Sequence, residues 1–480
     1  MPLEGNADMI VWRQAVDTEL RLAAQWEESW GFLREQNAKD DAKRQKVVLP
    51  KLSDTKGYGS VAGAPAASKD SSHDLPVSTP RLFLARHGRG LVAGRRYAPR
   101  EEVFRDRPLV ALQHIFSQRM TSCCAACMAP VGSFRDLLQQ ILRNAGCTLE
   151  SFGVDSHNLL GHPCLRGLAA VPCDTEGCKA LFCSERCRVE EVSRGAHRLL
   201  CCELHGDSSR MRSWTCFKSL ARNHSENLLL AASALSWAVC QVLYWDMPVR
   251  RAVAELMVCQ NERWEQMPWC RQPYRRRVVR ESWTLLKQVL YPAGTAFDID
   301  LLLNEEVYSR LLGEFELVNA NIEFGHPFQA ALAQEALLPL SDALRRAGVW
   351  QAVAKVMSCQ HEDPLCSVGD DAPTQEDLPV VLGIGLARRI ALMNHSCRPN
   401  CEIDYSNNGT AIVVALRELR TGEELTISYV DEQSLPVRRR RRALRMRYGF
   451  HCYCSRCSTE RLQRRRIHRQ ALRRKFSGPQ

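Results

Sequence analysis

The sequence predicts an α+β fold: small β-units around one site, interrupted by a cysteine-dense module and a helical insertion, then closed by a second cysteine cluster. Three observations carry this. Short β-runs recur at Arg81-Leu82-Phe83-Leu84, Cys401–Tyr405, 410–416 and 424–429, with Asn407-Asn408-Gly409 as a hairpin signal. Between Cys123 and Cys202 lie four closely spaced Cys or Cys/His pairs. From Arg212 to about Leu312 the pattern is mainly helical.

The elements follow in order. Trp12, Val16, Leu20 and Ala23/Ala24 recur at helical spacing within 10–46, so residues 1–50 read as a helical extension. Residues 51–78 are rich in Gly, Ala, Ser and Asp around Pro65 and read as a flexible linker. Residues 79–122 open the sheet domain, 123–205 form the cysteine module and 206–312 the helical insertion. Within that insertion, Leu228 to Trp245 is the longest apolar run; Ser233, Ser236 and Gln241 interrupt it and mark a buried helix, not a membrane span. Asn223, with Glu226 three residues on, reads as its N-terminal cap. Residues 316–324 and 378–393 are expected to be strand-rich within a core spanning 313–431. Residues 432–458 hold the second cysteine cluster, and 459–480 form a basic tail.

Composition narrows the class. Twenty-two cysteines in 480 residues, behind an opening with two acids and no apolar stretch, point to a reducing compartment and to metal ligation. The expected location is the cytoplasm, the nucleus or both, with no membrane partner. From Arg438 to Lys475, 16 Arg and Lys stand against one acid, Glu460, so this stretch outweighs the +11 of the whole chain.

The pairs are Cys124-x2-Cys127, Cys173-x4-Cys178, Cys183-x3-Cys187 and His197-x3-Cys201. Tetrahedral zinc takes four such ligands, so eight imply two ions, interleaved if pairs one and three share one and pairs two and four the other. Cys123 competes with Cys124, and Cys202 with Cys201. Cys452-x-Cys454-x2-Cys457 supplies three more thiolates; Cys397 is the best fourth ligand and Cys401 the local competitor. About three zinc ions are therefore expected. The last six ligands of the first module resemble the MYND zinc finger, a fold that usually serves peptide contacts. The module departs from it in the wider second pair and in the long gap between Cys127 and Cys173.

His87-Gly88-Arg89-Gly90 alone reads as a turn. Beside Asn394-His395-Ser396-Cys397-x-Pro399-Asn400, Gly422-Glu423-Glu424-Leu425 and Tyr429, it resembles the SET domain of protein lysine methyltransferases. With the inserted zinc module and Arg445-Met446-Arg447-Tyr448-Gly449-Phe450, residues 81–457 resemble the SET and MYND domain (SMYD) family. The wide zinc spacing and the lack of a long helical domain after Cys457 point to its fifth-member subgroup, although that subgroup ends in an acidic tail. In these terms the fold is a SET-domain β-sheet fold with an inserted MYND-type zinc module, a helical insertion and a post-SET zinc cluster.

The resemblance implies a protein-lysine N-methyltransferase using S-adenosylmethionine and acting on histone or other protein lysines. Gly88, Arg89, Gly90, Asn321, Asn394, His395 and Phe450 would contact the donor, with the glycines admitting close backbone approach. Tyr429 would orient the amine and methyl, and Tyr448 would wall the lysine channel. The rival is a non-catalytic zinc-binding scaffold in transcriptional regulation, its MYND-type module holding partner peptides. The basic end reads as a solvated helix face, an import signal, or a sequence-blind contact with nucleic acid or an acidic protein surface.

Overall fold

The computed structural model describes residues 81–85, 88–154, 162–201, 208–258, 262–267, 273–291, 297–358, 378–430 and 435–476. The chain divides into two units, Met1–Asp74 and Leu75–Gln480. The first lies outside the described residues, and with it the expected helix and linker.

The second unit opens with β1 (Arg81–Ala85) and β2 (Gly88–Val92), an antiparallel pair in which Gly90 is in register with Phe83. Next come β3 (Glu102–Asp106), β4 (Ala111–Gln113), α1 (Ile115–Met120) and α2 (Phe134–Asn144). The start of α2 is written in its sequence. Ser133 Oγ accepts from the Asp136 N–H, and the Asp136 carboxylate accepts from the Ser133 N–H, a reciprocal capping box. Phe134, Leu137, Leu138, Ile141 and Leu142 then recur on one buried face.

The cysteine module carries the short antiparallel pair β5 (Val171–Pro172) and β6 (Leu181–Phe182), then α3 (Glu185–Arg194) and α4 (His197–Leu200). The helical insertion follows as α5 (Ser208–His224), α6 (Asn227–Tyr244), α7 (Val249–Leu256), α8 (Pro273–Leu290) and α9 (Glu305–Val318). By length and composition α6 could cross a membrane, but it is mostly buried inside this fold. Ser236, a break in its apolar run, donates to the Ala196 carbonyl and so ties the insertion to the cysteine module. The expected cap at Asn223 is not formed. Asn223 belongs to α5, Ser225 Oγ accepts from the Asn227 N–H, and Glu226 turns away to accept from the Ile115 N–H at 2.8 Å.

β7 (Ala320–Phe324) is followed by α10 (Pro327–Leu332), α11 (Leu338–Arg346) and α12 (Val349–Ser358). Phe328 and Trp350 from these helices meet the Phe134 ring of α2 in a common core. β8 (Val381–Gly385) sits between β4 and β7 in an antiparallel sheet. The strand expected over 316–324 begins later, because Glu316 to Val318 finish α9 before β7 begins. That expected over 378–393 is confined to β8, with a 3₁₀ turn at Ile390–Leu392.

β9 (Asn394–His395) leads to β10 (Cys401–Tyr405) and β11 (Ala411–Ala415), the expected hairpin, with β3 as its third strand. Gly409 turns it at φ +68°, a conformation glycine adopts without strain. β12 (Thr426–Ile427) is shorter than the expected 424–429 run and pairs in parallel with β9. Helices α13 (Val437–Tyr448) and α14 (Ser455–Phe476) close the unit. The basic residues from 459 on lie in α14, which already begins inside the cysteine cluster.

Met128 locks the cysteine module onto the sheet. Just past Cys127, at φ +63°, it is 2% exposed and packs among Ile322, Phe324 and Val381. A Cβ on Gly383 would fall 2.2 Å from Met128 Cε and 2.6 Å from the Leu112 carbonyl oxygen. Gly383→Ala is therefore expected to cost about 1–3 kcal/mol by overpacking, seen as a lower urea midpoint at an unchanged slope.

Candidate active site and metal centres

Two residues of parallel pairing cannot hold a strand pair, so β9 and β12 depend on side chains. Asn400 supplies much of the connection. Its Oδ1 accepts from the Thr426 N–H at 2.8 Å and the Thr426 hydroxyl at 3.1 Å. Its Nδ2 donates to the Glu424 carbonyl at 2.8 Å and to Glu423 Oε1 at 3.2 Å. At 3% exposure, this amide has all four of its bonding positions filled from one short stretch of chain.

His395 makes the second connection. Its Nδ1 accepts from the Tyr429 N–H at 3.0 Å, which leaves the ring proton on Nε2, 3.2 Å from Cys397 Sγ. Burial pushes the imidazole down to about 4, so the ring is neutral at physiological pH. Asn394 Nδ2 donates to Glu424 Oε1 at 2.8 Å. Both side chains are thus engaged within the fold.

Tyr429 follows β12. Its hydroxyl donates to the Met393 carbonyl at 2.6 Å, and its own carbonyl accepts from the Tyr448 hydroxyl at 3.2 Å. Ring centroids of Tyr448 and His395 stand 4.9 Å and 5.3 Å away, with Phe450 edge-on at 6.4 Å. Gly449, at φ +75°, ends α13 and turns Phe450 into this group. The aromatic group borders a cleft of about 750 Å³ lined by Asn321, Glu323, Tyr405, Tyr429 and Tyr448 among others. Asn321 reaches it through the alternation of β7, which buries Ala320, Ile322 and Phe324 on the opposite face.

Gly88, Arg89 and Gly90 lie on β2, whose continuation approaches the motif through the Leu425 N–H bonding to the Leu91 carbonyl at 2.8 Å. His87 lies outside the described residues.

The thiol and imidazole groups gather in three sets: Cys124, Cys127, Cys183 and Cys187; Cys173, Cys178, His197 and Cys201; Cys397, Cys452, Cys454 and Cys457. Within each, the ligand atoms lie within 4.8 Å of one another. Tetrahedral zinc would set sulfur–sulfur edges of about 3.8 Å and nitrogen–sulfur edges of about 3.6 Å. The cysteines stand 3.6 Å apart at Cys127–Cys183 and 3.5 Å at Cys397–Cys457, and His197 Nε2 is 3.5 Å from Cys178 Sγ. The donor sets fit zinc, and the first two interleave. Cys123 and Cys401 stay outside them. Cys401 is buried on β10, where its thiol is pushed up to about 12. Cys202 lies outside the described residues.

Sequence reasoning missed Arg440, the middle of five consecutive arginines. It is 1% exposed, and its guanidinium donates to Glu460 at 3.0 Å and toward Cys457 Sγ at 3.8 Å. Helical phase marks it, because it shares a face with Val437 and Leu444. Asn400 was visible in the motif, but its role rests on partners more than twenty residues away.

A SET domain family profile matches residues 254–430. A second, described as "Normal lung function maintenance, Low in Lung Cancer 1 protein", matches residues 6–90. The chain is a SET-domain protein. Histone-lysine N-methyltransferase ATXR2 of Arabidopsis thaliana is 23% identical over 435 residues, 77% of this chain and 88% of its own. Histone-lysine N-methyltransferase SMYD3 of Mus musculus is 44% identical over 79 residues, 16% of this chain and 18% of its own. SET domain and MYND-type zinc finger protein 6 of Schizosaccharomyces pombe is 38% identical over 79 residues, 16% of each chain. These relatives make it a SMYD-like SET protein, and they support lysine methyltransferase activity.

Asn400→Ala would strand the part-buried Thr426 N–H and Glu424 carbonyl. A loss of about 2 kcal/mol or more is expected, measured as a lower urea midpoint, and a much smaller shift would mean that β9 and β12 hold without it.

Proposed function

We propose that the protein is an S-adenosylmethionine-dependent protein-lysine N-methyltransferase, with zinc in each of the three cysteine sets. The observation carrying this reading is Tyr429, held by both its hydroxyl and its backbone within an aromatic group beside a cleft of about 750 Å³. When bound, the donor supplies an electrophilic methyl on a sulfonium. Backbone groups of Gly88, Arg89, Gly90, Asn394 and His395, with Asn321 and the Phe450 ring, are the proposed contacts.

The chain's own task is to deliver a neutral amine along the line of displacement. The rings of Tyr429 and Tyr448 form the walls of that path, excluding water and disfavouring the ammonium form of lysine, whose ordinary pKa is about 10.4. The Tyr429 hydroxyl, fixed by Met393, orients the amine, and positioning of this kind supplies much of the rate. A neutral amine so held would take up the donor's methyl in place of one proton, which would leave to solvent, with the neutral thioether as leaving group. Substrates are protein lysines, on histones or elsewhere, in the cytoplasm or nucleus. The interleaved zinc module, read as MYND-type, is the proposed site for a partner peptide.

A scaffold would not require the tyrosine hydroxyl. Tyr429→Phe is expected to lower methyl transfer at least about 100-fold, with circular dichroism unchanged. The assay is isotopically labelled donor with whole lysate as substrate, and undiminished transfer would falsify the role given to Tyr429. Failure of the zinc-loaded wild type to bind donor in a calorimeter would favour the scaffold.

Elemental analysis should find three zinc ions, one for each of the three sets. Cys397→Ser is expected to lose one ion and donor affinity together, while Cys401→Ser keeps both. The reverse pattern would misplace the coupling by four residues.

A further inference from the structure

Helices α13 and α14 border an open cavity of about 420 Å³ that is distinct from the cleft at Tyr429. Arg438, Arg441, Arg442 and Arg445 line it from α13, Arg461 and Arg464 from α14, and His451 from the connection. The α13 arginines stand at i, i+3, i+4 and i+7, so they share one helix face. Among the described residues, no acidic side chain lines this cavity. The one acid in this stretch, Glu460, is taken by Arg440 and Arg456 from the same two helices. Among the described residues none of the six cavity arginines forms an ion pair, and Arg441 Nε is buried without a hydrogen-bond partner.

Convergent guanidinium groups without a counter-charge repel one another, and an anion with many oxygen acceptors relieves that repulsion. The sequence indicates how long this anion is. Beyond Arg464 the same helix continues through Arg465, Arg466, Arg469, Arg473, Arg474 and Lys475. The helix thus runs on for roughly 15 Å at about 1.5 Å per residue, and its sequence there carries a track of six further basic residues. A compact phosphate would fill the cavity alone, whereas a phosphodiester backbone would use the cavity and the track together.

We infer that the α13–α14 arginine cavity binds the phosphate backbone of nucleic acid, without reading its sequence. The inference is independent of the methyl-transfer reading, since neither Tyr429 nor the donor contacts take part.

The test uses the full chain and a fluorescein-labelled DNA duplex of mixed sequence, with anisotropy read across a salt series. Six phosphate contacts predict a slope of log affinity against log salt of about −5; a flat response overturns the inference. Arg445→Ala/Arg464→Ala removes two cavity charges. It should weaken binding roughly 10- to 30-fold near 0.15 M salt and make the slope shallower by about 2. Arg420→Ala/Arg439→Ala removes two exposed charges that belong neither to the cavity nor to the run beyond Arg464 and should change affinity less than about threefold. Equal losses in the two pairs would overturn the cavity as the site. Far-UV circular dichroism and melting temperature establish that both variants fold. Displacement of the duplex by poly-glutamate at equal charge would assign the cavity to an acidic protein, and displacement by inositol hexakisphosphate at equal charge to a compact polyphosphate. Either outcome overturns the inference as well.

Discussion

The imidazole of His395 is the contact on which the rest of the site depends. It takes the Tyr429 N–H on one side and faces Cys397 Sγ on the other. Only a neutral ring can accept at Nδ1 while presenting N–H at Nε2, and burial keeps it neutral. The parallel β9–β12 pair, the aromatic group and the third cysteine set therefore meet at one side chain. A shift of Cys397 moves the ring, and with it the backbone of the tyrosine that borders the cleft.

Arg440 shows how a strongly basic helix can still pack. Four arginines around it are free to face solvent or the α13–α14 cavity, while Arg440 turns inward with Val437 and Leu444. A buried guanidinium needs compensating negative charge. Glu460 provides one carboxylate, and the Cys457 sulfur lies at 3.8 Å. With zinc bound as proposed, four thiolates around a divalent ion keep net negative charge, so the cation and the cluster stabilise each other. Arg456 adds a further tie by donating to the Cys397 carbonyl at 3.1 Å.

Features written in short windows were legible in the sequence. The β10–β11 hairpin follows from alternation around a turn glycine, and the buried α6 from an apolar run punctuated by two serines. The cysteine sets follow from pair spacing once pairs one and three are matched, and Cys397 from the motif against which the last three cysteines pack. What escaped depends on partners distant in the chain. Asn223 and Glu226 have the spacing of a cap, but Glu226 is drawn to Ile115, more than a hundred residues away. The 424–429 run looks like a strand, yet Asn400 takes the Thr426 N–H and the Glu424 carbonyl that a ladder would use. Local pattern cannot reveal which backbone groups a distant side chain will claim.

The cysteine module and the third set meet two different physical needs. The core of the module is small and largely cysteine, with Phe182 and a few aliphatic side chains around it. Too little apolar surface is available there to offset the entropy of ordering the segment, so ligation must supply much of its stability. The third set instead lies beside a packed aromatic group, with Leu444, Tyr429, Tyr448 and Phe450 in the same cluster. Its ligands come from the β9 turn, the chain after α13 and the first turn of α14, segments that the Arg456–Cys397 and Arg440–Glu460 bonds also tie together. Loss of ligation should therefore unfold the module locally but only loosen the second site. Because Cys397 lies two residues beyond His395, that loosening would reach Tyr429 first.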